Sequence, residues 1–243
     1  SVGVGRRVME LCSRNLTNLT LELGGKDPMI VLKDADLERA ARGAVWTAFM
    51  NCGQSCGSVE RVYVEREVAE AFTARVVELA RQVRVGDPLG PGVDMGPMAT
   101  AGQLKAVEEH IADARAKGAA IPVGGGRVPG RAGHFLQPTV LTGVDHTMRC
   151  MTEETFGPTL PIMAFDGDDR AVALANDSVY GLTASVWTRD RKRAAWFADR
   201  LEAGSVTVND HMYSFCEPRA IWGGIKQTGM GRSHGPYGLH ELV

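Results

Sequence analysis

The chain has 243 residues, 44% of them hydrophobic and 23% charged, which excludes disordered, collagen-like and coiled-coil classes and leaves enough length for a sizeable core. Its 27 Lys and Arg against 29 Asp and Glu give a formal net charge of -2, so no overall cationic field draws nucleic acid. No apolar run nears the roughly 18–20 residues of a membrane span, and cysteines at 12, 52, 56, 150 and 216 suggest no disulfide framework, so a soluble chain in a reducing, cytoplasmic setting is expected.

Val4, Val8, Leu11 and Cys12 recur at helical spacing and predict a first helix, which Asn15 ends. Leu19, Leu21 and Leu23 then alternate with Thr20 and Glu22, the period of a strand with Glu22 on the face opposite the leucines, and Gly24-Gly25 breaks it. Residues 29–32 read as a buried strand. Asp36 can cap a helix whose apolar face is Leu37, Ala40, Ala41, Ala44, Val45, Ala48 and Phe49. The loop 51–56 leads to a strand near 61–64, a helix over 68–83, a Gly/Pro-rich loop over 86–98 and a helix over 101–117. Gly124-Gly125-Gly126 reads as a flexible turn. Later strands are predicted at 159–165, 182–187 and 205–209, with helices at 169–176 and 191–201 between them, and the glycine-rich tail 222–238 as extended or looped. This alternation predicts an α/β fold with a mostly parallel sheet and helices on both faces.

Cys56 is the sharpest candidate for chemistry. The run Asn51-Cys52-Gly53-Gln54-Ser55-Cys56-Gly57 puts a thiol on a loop between a helix and a strand, and loops on rigid scaffolds carry reactive groups. A free thiol of pKa ~8.5 is only slightly ionised at neutral pH, so nucleophilicity needs backbone N–H groups or a positive dipole, which the turn 57–60 is placed to supply. Taken alone, a cysteine is more often a small buried residue. Glu22, beside Gly24-Gly25, stands at a strand end, where α/β folds open their ligand crevices, as a candidate general base; an ordinary exposed edge acid reads the same way. In Glu153-Glu154-Thr155-Phe156-Gly157-Pro158 two adjacent acids cannot both be buried as anions, so one points outward or bonds a ligand hydroxyl. Val2-Gly3-Val4-Gly5 resembles half of a phosphate-cradling loop, and helix capping explains it equally well. Neither C-x-x-C spacing nor a histidine pair supports a metal site, and no histidine close to Cys56 in sequence supports a Cys–His protease.

Taken together, Leu21-Glu22-Leu23-Gly24-Gly25-Lys26, Gly53-Gln54-Ser55-Cys56, the stretch 153–158 and Gly204-Ser205-Val206-Thr207-Val208-Asn209 resemble the aldehyde dehydrogenase superfamily in residue type, order and spacing. The likeness continues through Trp222-Gly223-Gly224-Ile225-Lys226 and Gly229-Met230-Gly231-Arg232, so it covers effectively the whole chain. The resemblance implies that Cys56 attacks an aldehyde to give a thiohemiacetal and then a thioester, with the oxyanion met by the Cys56 N–H and an Asn elsewhere, and that Glu22 activates the hydrolytic water. It implies NAD or NADP as cofactor, not covalently bound. Glu154 would hold the nicotinamide ribose and Phe156 pack beside the nicotinamide; Leu23 and Gly24 would line the same pocket, with Ser1 and Val4 at the pyrophosphate end. Lys26 and Asn209 read as structural supports. The implied partners are a small-molecule aldehyde and further copies of the chain in a homodimer or homotetramer, with no nucleic acid and no membrane.

Members of the superfamily are longer, and the likeness assigns 1–22 to a remnant of a Rossmann-like dinucleotide-binding domain, 23–225 to the catalytic domain and 226–243 to a C-terminal segment returning toward the cofactor domain. The chain is thus expected to be the catalytic portion of a longer enzyme. Two other readings stand beside this one: a cofactor-independent esterase using Cys56 and Glu22, and a non-catalytic oligomerising remnant. An activated Cys56 is expected to take iodoacetamide faster than Cys12, Cys150 or Cys216. The wording of 151–161 is similar to succinate-semialdehyde members.

Overall fold

In the computed structural model, which describes residues 1–241, the elements in chain order begin with α1 (Val2–Cys12), β1 (Leu21–Glu22), β2 (Asp27–Val31), α2 (Leu37–Phe49), β3 (Val59–Glu65), α3 (Arg66–Gln82) and α4 (Ala101–Ala116). There follow β4 (Ala120–Val123), β5 (Thr139–Thr142), α5 (Arg149–Thr152), β6 (Thr159–Phe165), α6 (Asp168–Asn176), β7 (Tyr180–Gly181), β8 (Thr183–Trp187), α7 (Arg191–Ala198) and β9 (Ser205–Val208). The tail carries α8 (Tyr213–Cys216), β10 (Ile225–Lys226), β11 (Gly229–Met230) and α9 (Gly235–His240). Residues 242 and 243 of the expected C-terminal segment lie outside the described residues.

The main sheet has seven strands in the order β4-β5-β6-β3-β2-β8-β9, parallel except for the antiparallel β4–β5 edge. Every residue of β2 is buried, as a central parallel strand requires. Its side chains alternate between two cores. Met29 and Val31 join α2 and α3 on one face, while Ile30 and Leu32 join α6 and α7 on the other. Fully burying each such side chain contributes roughly 1.5–3 kcal/mol. On α2 the predicted face, Ala40 through Phe49, is the buried one, and the Asp36 carboxylate accepts the Arg39 amide as the cap.

Arg61 is 1% exposed and ties the two halves of this architecture together. Its guanidinium donates to the Lys26 carbonyl and, across the sheet, to the carbonyls of Leu174 and Ala175 at the end of α6. Carbonyls in the last turn of a helix lack intrahelical partners, so this buried cation completes them.

The structure departs from the sequence reading at the termini. The alternation over 19–23 yields only two strand residues, because β1 pairs outside the main sheet, antiparallel with β11. The tail read as extended or looped adds β10, β11 and the short helix α9. On α1, Val4 is 62% and Leu11 44% exposed.

Candidate active site

Three segments converge at the amino edge of the sheet: 22–26 ahead of β2, 51–58 ahead of β3 and 153–158 ahead of β6. The crevice thus opens at the starting ends of β2, β3 and β6. Glu22 sits on a separate ribbon that delivers it to the strands' starting ends. Glu22, Leu23, Gly24, Cys56, Glu154, Phe156 and Ser1 all line one cleft of about 560 Å³, together with Gln54, Ser55, Gln103, Met212, Phe215 and Trp222. Val4 does not line it; it lies further along α1 on an exposed face. A second groove, of about 640 Å³, runs over Trp46 and Phe49 on α2 and includes none of the candidate residues.

The loop that carries Cys56 is held in a costly conformation. Asn51, Cys52 and Gly53 are consecutively left-handed, with φ of 52°, 59° and 68°, and each non-glycine residue there costs roughly 1–2 kcal/mol. Close approach enforces the glycine, since a methyl group at Gly53 would lie 2.2 Å from the Gly157 carbonyl oxygen. Side chains lock the turn: the Asn51 amide donates to the Gln54 carbonyl at 2.9 Å, and Gln54 Oε1 accepts the Ala99 amide at 2.8 Å. Strain of this kind is retained at sites where geometry matters.

Cys56 is half-buried, unlike Cys52, whose sulfur is buried against Met98. Burial pushes the Cys56 thiol up to about 11, and the nearby acids Asp27, Glu22 and Glu154 push the same way, with only its own amide opposing. In these surroundings burial and the neighbouring acids oppose a standing thiolate. After Gly57 the chain enters β3 and not a helix, while α2 ends toward this loop with its carbonyl, partly negative, end.

Glu22 has its carboxyl pKa raised, chiefly by desolvation; the Trp222 indole donating to it, and the charges of Arg232 and His234, offset part of this. A carboxylate shifted this way is a better base near neutrality. Of the adjacent acids, Glu153 turns outward to Arg149, and Glu154 turns into the cleft, where Oε1 accepts the Gly25 amide at 3.0 Å. Trp222 and Met212 flank Gly57, and Trp222 meets Phe215 edge-on with ring centroids 5.2 Å apart, so these three residues give the cleft an apolar wall.

No histidine serves as a base for Cys56 among the described residues. His211, 2% exposed beneath Gly57, engages Ser185 and Thr183 through its two ring nitrogens, and burial pulls it down to about 4. Sequence reasoning missed Trp222, Met212, Phe215 and Glu60. Glu60-Arg61 inside an otherwise apolar strand was the legible sign of buried, paired charge.

Cysteine, carboxylate and acidic turn share one cleft, a candidate active site whose residues are those that carried the resemblance. A family model described as the aldehyde dehydrogenase family matches residues 1–243, and the chain belongs to that family. It is 42% identical over 240 residues to a putative succinate-semialdehyde dehydrogenase [NADP(+)] of Mycolicibacterium smegmatis, covering 98% of this chain and 46% of that protein. A probable succinate-semialdehyde dehydrogenase [NADP(+)] of Sinorhizobium fredii is also 42% identical, over 243 residues that make up 100% of this chain and 49% of the relative. The chain thus spans about half the length of the curated relatives it matches. Among solved structures, betaine aldehyde dehydrogenase of Staphylococcus aureus in complex with NAD+ superposes with a TM-score of 0.94 at 36% identity, covering 99% of this chain and 48% of that one. An NADP-dependent enzyme of E. coli gives 0.96 at 38% identity, covering 99% and 49%.

Proposed function

We propose that the cleft oxidises an aldehyde to a carboxylic acid with NAD(P)+, through a thioester on Cys56. The observation that carries this reading is that Cys56 and Glu22, thirty-four positions apart, line one cleft with the inward-turned Glu154. When bound, NAD(P)+ supplies the hydride acceptor. The acidic end of the cleft fits a nucleotide sugar, because Glu154 presents Oε2 over Gly24, where a methyl group would come within 2.5 Å of it. Phe156, with φ of 49°, lines the same end; Ser1, Leu23 and Gly24 complete it.

With its thiol pushed up to about 11, Cys56 stores almost no thiolate at neutral pH, so its proton passes to solvent as the sulfur bonds the aldehyde carbon. Glu22, its affinity for protons raised by desolvation, faces the cleft as the base for the water of the second half-reaction. In this reading the Cys56 amide donates to the thiohemiacetal oxygen. Once the carbon is oxidised to the thioester, Glu22 takes a proton from water, the water oxygen bonds the acyl carbon, and the C–S bond breaks to return the thiol. The apolar wall of Met212, Phe215 and Trp222 receives the aldehyde's substituent.

The test uses the complete reading frame that encodes this chain, assayed by NAD(P)H formation with simple aldehydes. Cys56→Ala is expected to abolish turnover, and Glu22→Gln to release about one equivalent of NAD(P)H per site and then stall, since only deacylation needs the water-activating base. Persistent steady-state turnover in Cys56→Ala defeats the reading.

A further inference from the structure

Glu60 is 3% exposed and Lys26 1% exposed, and their charges meet at 2.7 Å beneath the cleft. The carboxylate does more than pair with the lysine. Oε2 accepts the Thr155 amide at 2.8 Å and Oε1 the Phe156 amide at 2.8 Å. Lys26 Nζ also donates to Thr155 Oγ1 at 3.0 Å, and His110 Nδ1 lies 3.1 Å from the same oxygen. From the opposite side Gln103 Nε2 donates to the carbonyls of Thr155 and Phe156. Both amides and both carbonyls at the centre of the turn are therefore held by side chains from other elements.

The turn needs this support. Phe156 has φ of 49°, a region an aromatic residue seldom occupies unless its surroundings impose it. We propose that Glu60 is a positioning residue for the cofactor, fixing through the Thr155 and Phe156 amides the turn that presents Glu154 and Phe156 to the nucleotide. Lys26 meets the same carboxylate at 2.7 Å, so the lysine, the carboxylate and both amides form one buried cluster. Without the acceptor, the buried Thr155 amide and the part-buried Phe156 amide are orphaned, Phe156 relaxes to negative φ, and the Glu154 carboxylate leaves its place over Gly24. The inference rests on the cofactor reading above.

The experiment compares wild type, Glu60→Gln, Glu60→Asp and the double variant Lys26→Met/Glu60→Gln, all from the complete reading frame. Two readouts are taken: KM for NAD(P)+ in aldehyde oxidation, with Kd for NAD(P)H by titration, and hydrolysis of p-nitrophenyl acetate without nucleotide. Glu60→Gln keeps one acceptor atom and turns the other into a donor, so KM and Kd are expected to rise about tenfold or more while ester hydrolysis changes less than about threefold. Glu60→Asp, still anionic but too short for both amides, falls between. If Glu60→Gln fails to fold because Lys26 is left unpaired, the double variant removes that buried charge and carries the same expectation. Unchanged nucleotide affinity in a folded variant overturns the proposal, as does a parallel loss of both activities, which marks a merely structural pair. Failure of the wild type to reduce NAD(P)+ with any aldehyde defeats the proposed function instead.

Discussion

Gly25→Ala tests the packing beneath the nucleophile. A methyl group there would lie 2.1 Å from the Cys56 carbonyl oxygen, 3.2 Å from its carbon and 3.3 Å from Asp27 Oδ1. Ordinary contact begins at about 3.4 Å, so the two segments must part by roughly 1.3 Å. The atom struck is backbone and cannot rotate away, and the displacement passes to the loop that carries the sulfur. Misplacement of about 1 Å costs on the order of a hundredfold in rate, and overpacking about 1–3 kcal/mol in stability. Gly25→Ala in the complete reading frame is therefore expected to lose about a hundredfold in kcat/KM for both aldehyde oxidation and ester hydrolysis, with a lowered Tm. The control is Gly102→Ala in the first turn of α4, where a methyl group meets nothing within 4 Å; alanine is expected to stabilise it by about 0.5–1 kcal/mol with activity unmoved. If Gly25→Ala stays within about threefold of wild type in both assays, the Cys56 carbonyl does not rest on Gly25 and the reasoning fails.

Two further outcomes follow from burial. With its thiol at about 11, Cys56 in nucleotide-free protein is expected to take iodoacetamide about a hundredfold more slowly at neutral pH than an unperturbed thiol, the rate rising about tenfold per pH unit toward that value; intact mass against time at several pH values measures it, and a rate already level near neutrality contradicts the burial argument. Asp27 is 1% exposed, bonded to the Thr183 amide and hydroxyl, and its pKa is raised well above 3.8, chiefly by desolvation. A raised carboxyl pKa means the folded state binds the proton more tightly, so this group destabilises the fold increasingly as pH rises past the ordinary carboxylate range. Asp27→Asn, which can accept the Thr183 amide and donate to its hydroxyl, is expected to have the higher Tm at mildly alkaline pH, with the gap narrowing on acidification; a gap that widens as pH falls rules this out.

Much of the fold was legible. The period of 3.6 on α2 with its Asp36 cap, the extent of α4, and the strand at 159–165 all follow from local chemistry, because side chains whose spacing matches the element bury without conflict. Glu153 and Glu154 divided as charge repulsion demands, one outward to Arg149 and one into the cleft. The β4–β5 edge was harder to read, since four-residue strands carry too little pattern. Cys56 was placed on its loop by sequence, but the state of its thiol was not, because that state depends first on burial and then on acids brought in from residues 27, 22 and 154.

The sequence by itself determined the alternation of the longer strands and helices, the loop that bears the thiol, and the family to which the chain belongs, since these rest on periodicity and on short runs of neighbouring residues. Only the tertiary structure decided which end of the sheet holds the cleft, how strongly the sulfur keeps its proton, and that Glu60 reaches across ninety-five positions to hold the turn beside Phe156. Hydrogen bonds and desolvation act over a few ångströms of space, and no period along the chain records which distant atoms folding will bring within that distance.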